Sequence, residues 1–90
     1  MKFGEVIEIL SDGKHRAYRK GWHGKNMFIY IEGGKIIPYD KLREPQKSWL
    51  GKDMEVAPHF NLYVDNVVVT GWLASQTDML ADDWEIFSEE

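Results

Sequence analysis

Phe3, Val6, Ile7 and Leu10 recur at helical spacing and share one face, which predicts a helix over residues 3–11 that stops at Gly13, a residue free to turn left-handed. The period then shortens. Residues 17–20 read as a short strand, and residues 27–32 and 35–39 are β-rich runs separated by Gly33-Gly34, a pair that predicts a tight hairpin between them. Residues 40–51 are polar, contain Pro45 and are assigned as loop, with room for one helical turn near Trp49. A short extended piece follows from Glu55. Residues 61–64 and 67–70 form a second predicted hairpin through Asp65-Asn66, two residues that tolerate positive φ. Ser75-Gln76-Thr77-Asp78 has the spacing of a capping box, in which a hydroxyl and a carboxylate satisfy orphan amides, and it opens a helix to about Ala81; residues 84–87 close as a strand.

The runs Met27-Phe28-Ile29-Tyr30-Ile31 and Val67-Val68-Val69 are apolar at every position, so each strand needs cover on both faces. Two short helices can cover one side of a small antiparallel sheet of four or five strands. The fold class is therefore α+β, and the other side is expected to be covered by further copies of the chain in a homo-oligomer. The alternative cover is the loop over residues 40–54 folding across that face.

Ninety residues make one domain, residues 1–90, with modest stability and no room for a second. Cysteine is absent, which removes disulfides, thiolate nucleophiles and Cys-based zinc sites. No apolar run approaches the roughly 20 residues that span a bilayer, and the start Met1-Lys2-Phe3-Gly4-Glu5 lacks the core of a signal peptide, so a cytoplasmic protein without membrane contact is expected. A net charge of −4 excludes a protein that holds nucleic acid by broad phosphate neutralisation. The charge is unevenly spread. Lys14, His15, Arg16, Arg19, Lys20, His23 and Lys25 crowd one stretch, while Asp78, Asp82, Asp83, Glu85, Glu89 and Glu90 load the end, so a local anion site is compatible with the acidic total.

No P-loop, nucleophile elbow, His-Glu-x-x-His helix or calcium loop is present, and His15, His23 and His59 are too scattered to argue for zinc; neither catalytic residues, metal nor cofactor are assigned. Three segments do combine planar aromatics, polar tips and flexible backbone: Trp22-His23-Gly24-Lys25-Asn26, Pro58-His59-Phe60-Asn61 and Trp72 to Asp78. Together they suit a nucleotide. Trp22 or Trp72 can stack on a base, Asn and Asp can read ribose hydroxyls, and amides at the start of the Ser75 helix favour phosphate. Each also has a structural use: the Ser75–Asp78 pair as a helix cap, and Trp72 and Trp84 as pins holding that helix to the sheet.

Arg19-Lys20-Gly21-Trp22-His23-Gly24-Lys25, the following Met27-Phe28-Ile29, Pro58-His59, and Trp72-Leu73-Ala74-Ser75-Gln76-Thr77-Asp78-Met79-Leu80-Ala81-Asp82-Asp83-Trp84-Glu85-Ile86 resemble the second Thoeris anti-defence family of phages and prophages. The likeness spans Phe3 to Phe87. It implies a homotetrameric sponge, with pockets between protomers, that binds the cyclic ADP-ribose isomers made by bacterial TIR-domain enzymes and holds them uncleaved in the cytoplasm of the infected host. Some relatives in the family also capture cyclic dinucleotides. The ligand-binding residues it implies are Trp22, His23, Asn26, Phe28, His59, Trp72, Ala74, Ser75, Gln76, Thr77 and Asp78. The sequence departs from the family at His23, where asparagine is frequent, at Gly71, where proline is common, and at Phe60-Asn61-Leu62. Two rival functions stand beside capture: an enzyme that hydrolyses the same signal, and an inhibitor that binds the immune proteins through exposed aromatics.

Overall fold

The computed structural model describes residues 1–88. The first helix, α1 (Phe3–Leu10), forms where the 3.6-residue period was read and buries Phe3, Val6 and Leu10. Beneath it, β1 (Ala17–Arg19), β2 (Met27–Glu32), β5 (His59–Val64), β6 (Val67–Thr70) and β7 (Trp84–Ile86) make one antiparallel sheet in the order β6-β5-β2-β1-β7. The core is Phe3, Val6, Leu10, Ala17, Ile29 and Trp84, all on the side of the sheet that α1 covers. Ala17 and Leu62 flank Ile29 across the sheet, so the alternation that buries Ile29 turns Phe28, Tyr30 and Tyr63 to the opposite side.

The five strands and the second hairpin agree with the sequence reading: Asp65 and Asn66 take positive φ, 44° and 73°, and Val64 pairs with Val67. Three points differ. The predicted Gly33-Gly34 hairpin does not form, because β5 already occupies that edge of β2 over its whole length, from Met27 opposite Val64 to Glu32 opposite His59. β3 (Lys35–Ile37) instead pairs with β4 (Met54–Val56). The register of this second pair, Lys35 opposite Val56, continues that of β2 and β5 without a shift. The two glycines are thus a bend in one long two-stranded ribbon, whose outer part is an arm projecting from the sheet. The segment assigned as loop over residues 40–51, with room for one helical turn near Trp49, holds more structure than that: a 3-10 turn (Tyr39–Lys41) and a five-residue helix, α2 (Gln46–Leu50), that contains Trp49 and is closed by Gly51 at φ 64°. With α3 (Gln76–Leu80) the helices number three among the described residues rather than two. Its polar, half-turn signals gave no apolar stripe to read: none of the α2 residues is buried, and Trp49 is 74% exposed.

At the bend, Gly33 sits at φ 109° with a position for Cβ only 2.5 Å from the Ala57 carbonyl oxygen, whereas Gly34 at φ 74° has nothing closer than 3.6 Å. Gly33→Ala is therefore expected to cost about 1–3 kcal/mol through backbone strain and a steric collision, against about 1 kcal/mol for Gly34→Ala. Urea midpoints of the two variants check this; equal losses would show that the close approach to Ala57 is not what requires glycine.

The two sheet edges are unlike. Alongside β7 the chain start forms a bridge, with the Trp84 amide donating to the Met1 carbonyl (3.2 Å) and the Met1 ammonium donating to the Trp84 carbonyl (2.7 Å). At the other edge all four residues of β6 are exposed, so the segment over residues 40–54 does not cover its valines.

Candidate ligand-binding site

Four segments far apart in sequence meet at the end of the sheet where β1 stops and β7 begins. Trp22 follows β1, and its amide donates to the Arg19 carbonyl (2.9 Å) in a tight turn that seats the indole against the core. Its ring meets Trp84 edge-on at 5.3 Å and Trp72 at 6.5 Å, and Trp72 meets Phe60 at 6.2 Å. Trp72 is held by its amide, which donates to the Phe60 carbonyl (2.8 Å). Trp84 is 1% exposed, whereas Trp22 and Trp72 are half-buried and keep part of each ring on the surface. The two structural uses read from the sequence thus separate. Trp84 is the pin, its indole N–H donating to the Asp78 carbonyl of α3 (2.9 Å), whereas Trp22 and Trp72 are the half-buried rings beside it.

Beside them α3 starts as the capping pattern dictates. The Ser75 hydroxyl accepts from the Asp78 amide (3.1 Å), and Asp78 Oδ2 accepts from the Ser75 hydroxyl (2.8 Å) and amide (3.3 Å). The other carboxylate oxygen of Asp78 accepts from Arg19 Nη1 (3.0 Å), and Arg19 also reaches Asp83 through Nε (2.9 Å) and Nη2 (3.3 Å). Both Asp78 oxygens are therefore engaged within the protomer. Gln76 and Thr77 lie in the first turn of α3 and are exposed, and Ala74 is half-buried just before it.

The remaining predicted residues lie elsewhere in the protomer. Phe28 is on the opposite side of the sheet, stacked on Tyr63 (4.7 Å, 17°) and lining with Lys14, His15, Arg16 and Tyr30 a cleft of about 450 Å³. The Arg16 guanidinium lies 4.7 Å from the Phe28 ring centre and 3.8 Å from that of Phe87. His59 opposes Glu32 on that same side: Nδ1 donates to the Ala57 carbonyl (2.8 Å), and Nε2 is 3.9 Å from the Glu32 carboxylate. Its neighbour Asn61 is 1% exposed and donates to Glu32 (3.0 Å), while its Oδ1 has no partner among the described residues. A buried acceptor left so costs about 1–3 kcal/mol. His23 and Asn26 are exposed in a loop turn, where the Asn26 amide donates to the His23 carbonyl (2.7 Å) and the Asn26 carbonyl accepts from the Asp65 amide (2.9 Å). One protomer therefore assembles Trp22, Trp72, Ala74 and Ser75–Asp78 in one place, and leaves Phe28 and His59 on another surface.

Three members of the basic stretch are engaged within the protomer. Arg19 is engaged by two aspartates, His15 by Asp12 (2.6 Å), and Arg16 lies over aromatic rings. The bonds of Arg19 to Asp78 and Asp83 could not be read from the sequence, because these partners lie 59 and 64 residues away. Among the described residues no group of three or more His, Asp and Glu side chains could hold a metal ion, and no helix is long and apolar enough to cross a membrane. Glu89 and Glu90, part of the acidic end, lie outside the described residues.

Burial pushes the Asp78 carboxyl up, but the Ser75 hydroxyl and the Arg19 guanidinium outweigh it and hold the group below the ordinary 3.8; Arg19 holds Asp83 down as well. A carboxyl depressed in the folded state stabilises at pH above its unfolded value, and that contribution is lost as pH falls through the lower folded value. The melting temperature is thus expected to drop below about pH 4, less steeply in Asp78→Asn than in the parent. Parallel acid slopes in the two proteins would remove Asp78 from the linkage.

A family model described as a Thoeris anti-defense 2-like domain matches residues 1–87. A protein of Bacillus phage SP01 named "Thoeris anti-defense 2" is 36% identical over 88 residues, which cover 98% of this chain and 96% of that relative.

Proposed function

The chain belongs to the Thoeris anti-defense 2-like family, and on that premise we propose that it is a phage anti-defence protein which binds a cyclic ADP-ribose-type immune signal and holds it without cleavage. The observation that carries this reading is the meeting of two half-buried indoles, Trp22 and Trp72, with the first turn of α3. Flat aromatic surface takes a base, and the hydroxyl groups of Ser75 and Thr77 and the carboxamide of Gln76 take ribose and phosphate oxygens. Sequestration requires stoichiometric capture; a nanomolar dissociation constant corresponds to about −12 kcal/mol and demands an enclosed, preorganised pocket. In one protomer Ser75, Gln76 and Thr77 are exposed and the two indoles half-buried. Enclosure comes from neighbouring copies in a homotetramer, which also bring Phe28 and His59 to the ligand, cover the aromatic side of the sheet and supply a partner for Asn61 Oδ1. The protein works in the cytoplasm of the infected cell and needs no cofactor.

The test is recovery. The protein is incubated with cyclic ADP-ribose isomers and, in parallel, cyclic dinucleotides, freed of unbound nucleotide, heated, and the supernatant analysed. Intact signal at about one molecule per site or less is the expected result. Conversion to a linear nucleotide over many turnovers would make the protein a hydrolase, and binding confined to cyclic dinucleotides would move the target to that signal class. Silence in calorimetry with every nucleotide would point to an inhibitor that contacts the immune proteins themselves.

A further inference from the structure

We propose that Arg19, which lies outside the set of residues expected to touch the ligand, is the positioning residue that sets the distance between the two halves of the capture site. This rests on the capture reading above. Arg19 works through both of its parts. Its main chain fixes the indole half: the carbonyl accepts from the Trp22 amide (2.9 Å), and the residue pairs with Trp84 across β1 and β7. Its side chain fixes the helix half, with one N–H on Asp78 in the first turn of α3 and two on Asp83 just beyond it. Asp83 is in turn tied to the end of β1, because its carbonyl accepts from the Lys20 amide (3.2 Å).

The geometry favours a rigid link over an ordinary surface ion pair. The Arg19 and Asp78 side chains are 21% and 17% exposed, and the planar fork meets Asp83 through two N–H bonds, an arrangement lysine cannot reproduce. α3 has only five residues and buries none of them, so its own packing does little to hold it. Its ties to the sheet are the Trp84 indole bond to the Asp78 carbonyl and the Arg19 bond to the Asp78 carboxylate. The groups facing the Asp78 carboxylate are Arg19 from β1, Ser75 from the cap and Asp83 through their shared arginine, with Lys20 adjoining; the Met1 ammonium donates to the neighbouring Asp82 carbonyl (3.1 Å).

Calorimetry with a cyclic ADP-ribose isomer and amide hydrogen exchange on the full chain test this with Arg19→Ala, Arg19→Lys and Asp83→Asn. Arg19→Ala is expected to weaken capture at least about tenfold, as loss of charged hydrogen bonds does. It should also speed exchange of the Asp78 and Met79 amides and leave those of β2 and β5 unchanged. Arg19→Lys should recover part of both. In Arg19→Ala the acid midpoint of binding should move up towards the ordinary aspartate value, because the guanidinium that helps hold the Asp78 carboxyl down is gone. Asp83→Asn separates positioning from direct charge: a positioning arginine loses its anchor and binding weakens, whereas a cation that simply attracts the ligand is released and binding tightens. Tighter binding by Asp83→Asn, or unchanged affinity and α3 exchange in Arg19→Ala, overturns the proposal while the parent still binds. A parent that binds no nucleotide overturns the capture reading and Arg19's part in it.

Discussion

Replacing Trp84 with alanine is expected to lower the free energy of unfolding by about 3–5 kcal/mol, a large share of the total for a domain this small. Trp84 is 1% exposed and is the largest fully buried side chain. It sits where α1, the sheet and α3 converge: its ring is 5.2 Å from Phe3 and 5.3 Å from Trp22, and its N–H satisfies the Asp78 carbonyl. Truncation opens a cavity among three elements and leaves a helix carbonyl without its donor, two penalties that add. Urea unfolding followed by far-ultraviolet circular dichroism gives the number. A loss under about 1 kcal/mol would mean that the surrounding rings close over the gap and that Trp84 is not the residue joining the three elements. Trp84→Phe should keep the packing in part and lose the hydrogen bond, and so fall between.

Trp72→Ala is expected to do the opposite: spare the fold and damage capture. The side chain is half-buried, touching Trp22 and Phe60 edge-on, and retains surface beside the start of α3. Loss of a stacked ring costs about 2 kcal/mol or more, a weakening of roughly 30-fold, because base stacking on an aromatic is worth about 1–3 kcal/mol and the pocket also loses a wall. Trp72→Phe should restore most of the affinity. The control is the melting curve, and a folded Trp72→Ala protein that binds as tightly as the parent would take this residue out of the site.

How far the sequence could be read depended on the range of each signal. The helix from Phe3, the turn at Asp65-Asn66 and the cap at Ser75 and Asp78 rest on residues within a few positions of one another, and all three form as expected. Gly33-Gly34 also carried a local signal, and it misled. Two glycines permit a hairpin, but whether β3 folds back on β2 depends on what else competes for that edge, and β5 wins with six paired residues, among them Ile29 with Leu62 in the core. α2 showed in the sequence only as room for one helical turn near Trp49, because it has no buried face, and a helix that buries nothing leaves no periodic trace. Trp22, Trp72 and the start of α3 were named from composition and resemblance, and the structure brings them together. Phe28 was named with them, yet the alternation of β2, which sends Ile29 to the core, sends Phe28 to the other side of the sheet. Arg19 could not be singled out, since a charge in a basic stretch reads as solvated until its distant carboxylates are in view.

Because β2 with β3 and β4 with β5 keep one alignment through the bend, the arm cannot telescope: sliding by a single residue would turn Phe60 and Leu62 outward and put Asn61 and Tyr63 against α1. Gly33 and Gly34 on one strand face Ala57 and Pro58 on the other, and between the Glu32–His59 and Lys35–Val56 pairs the Gly34 amide donates to the Val56 carbonyl (2.7 Å), so the two strands stay in step through the bend.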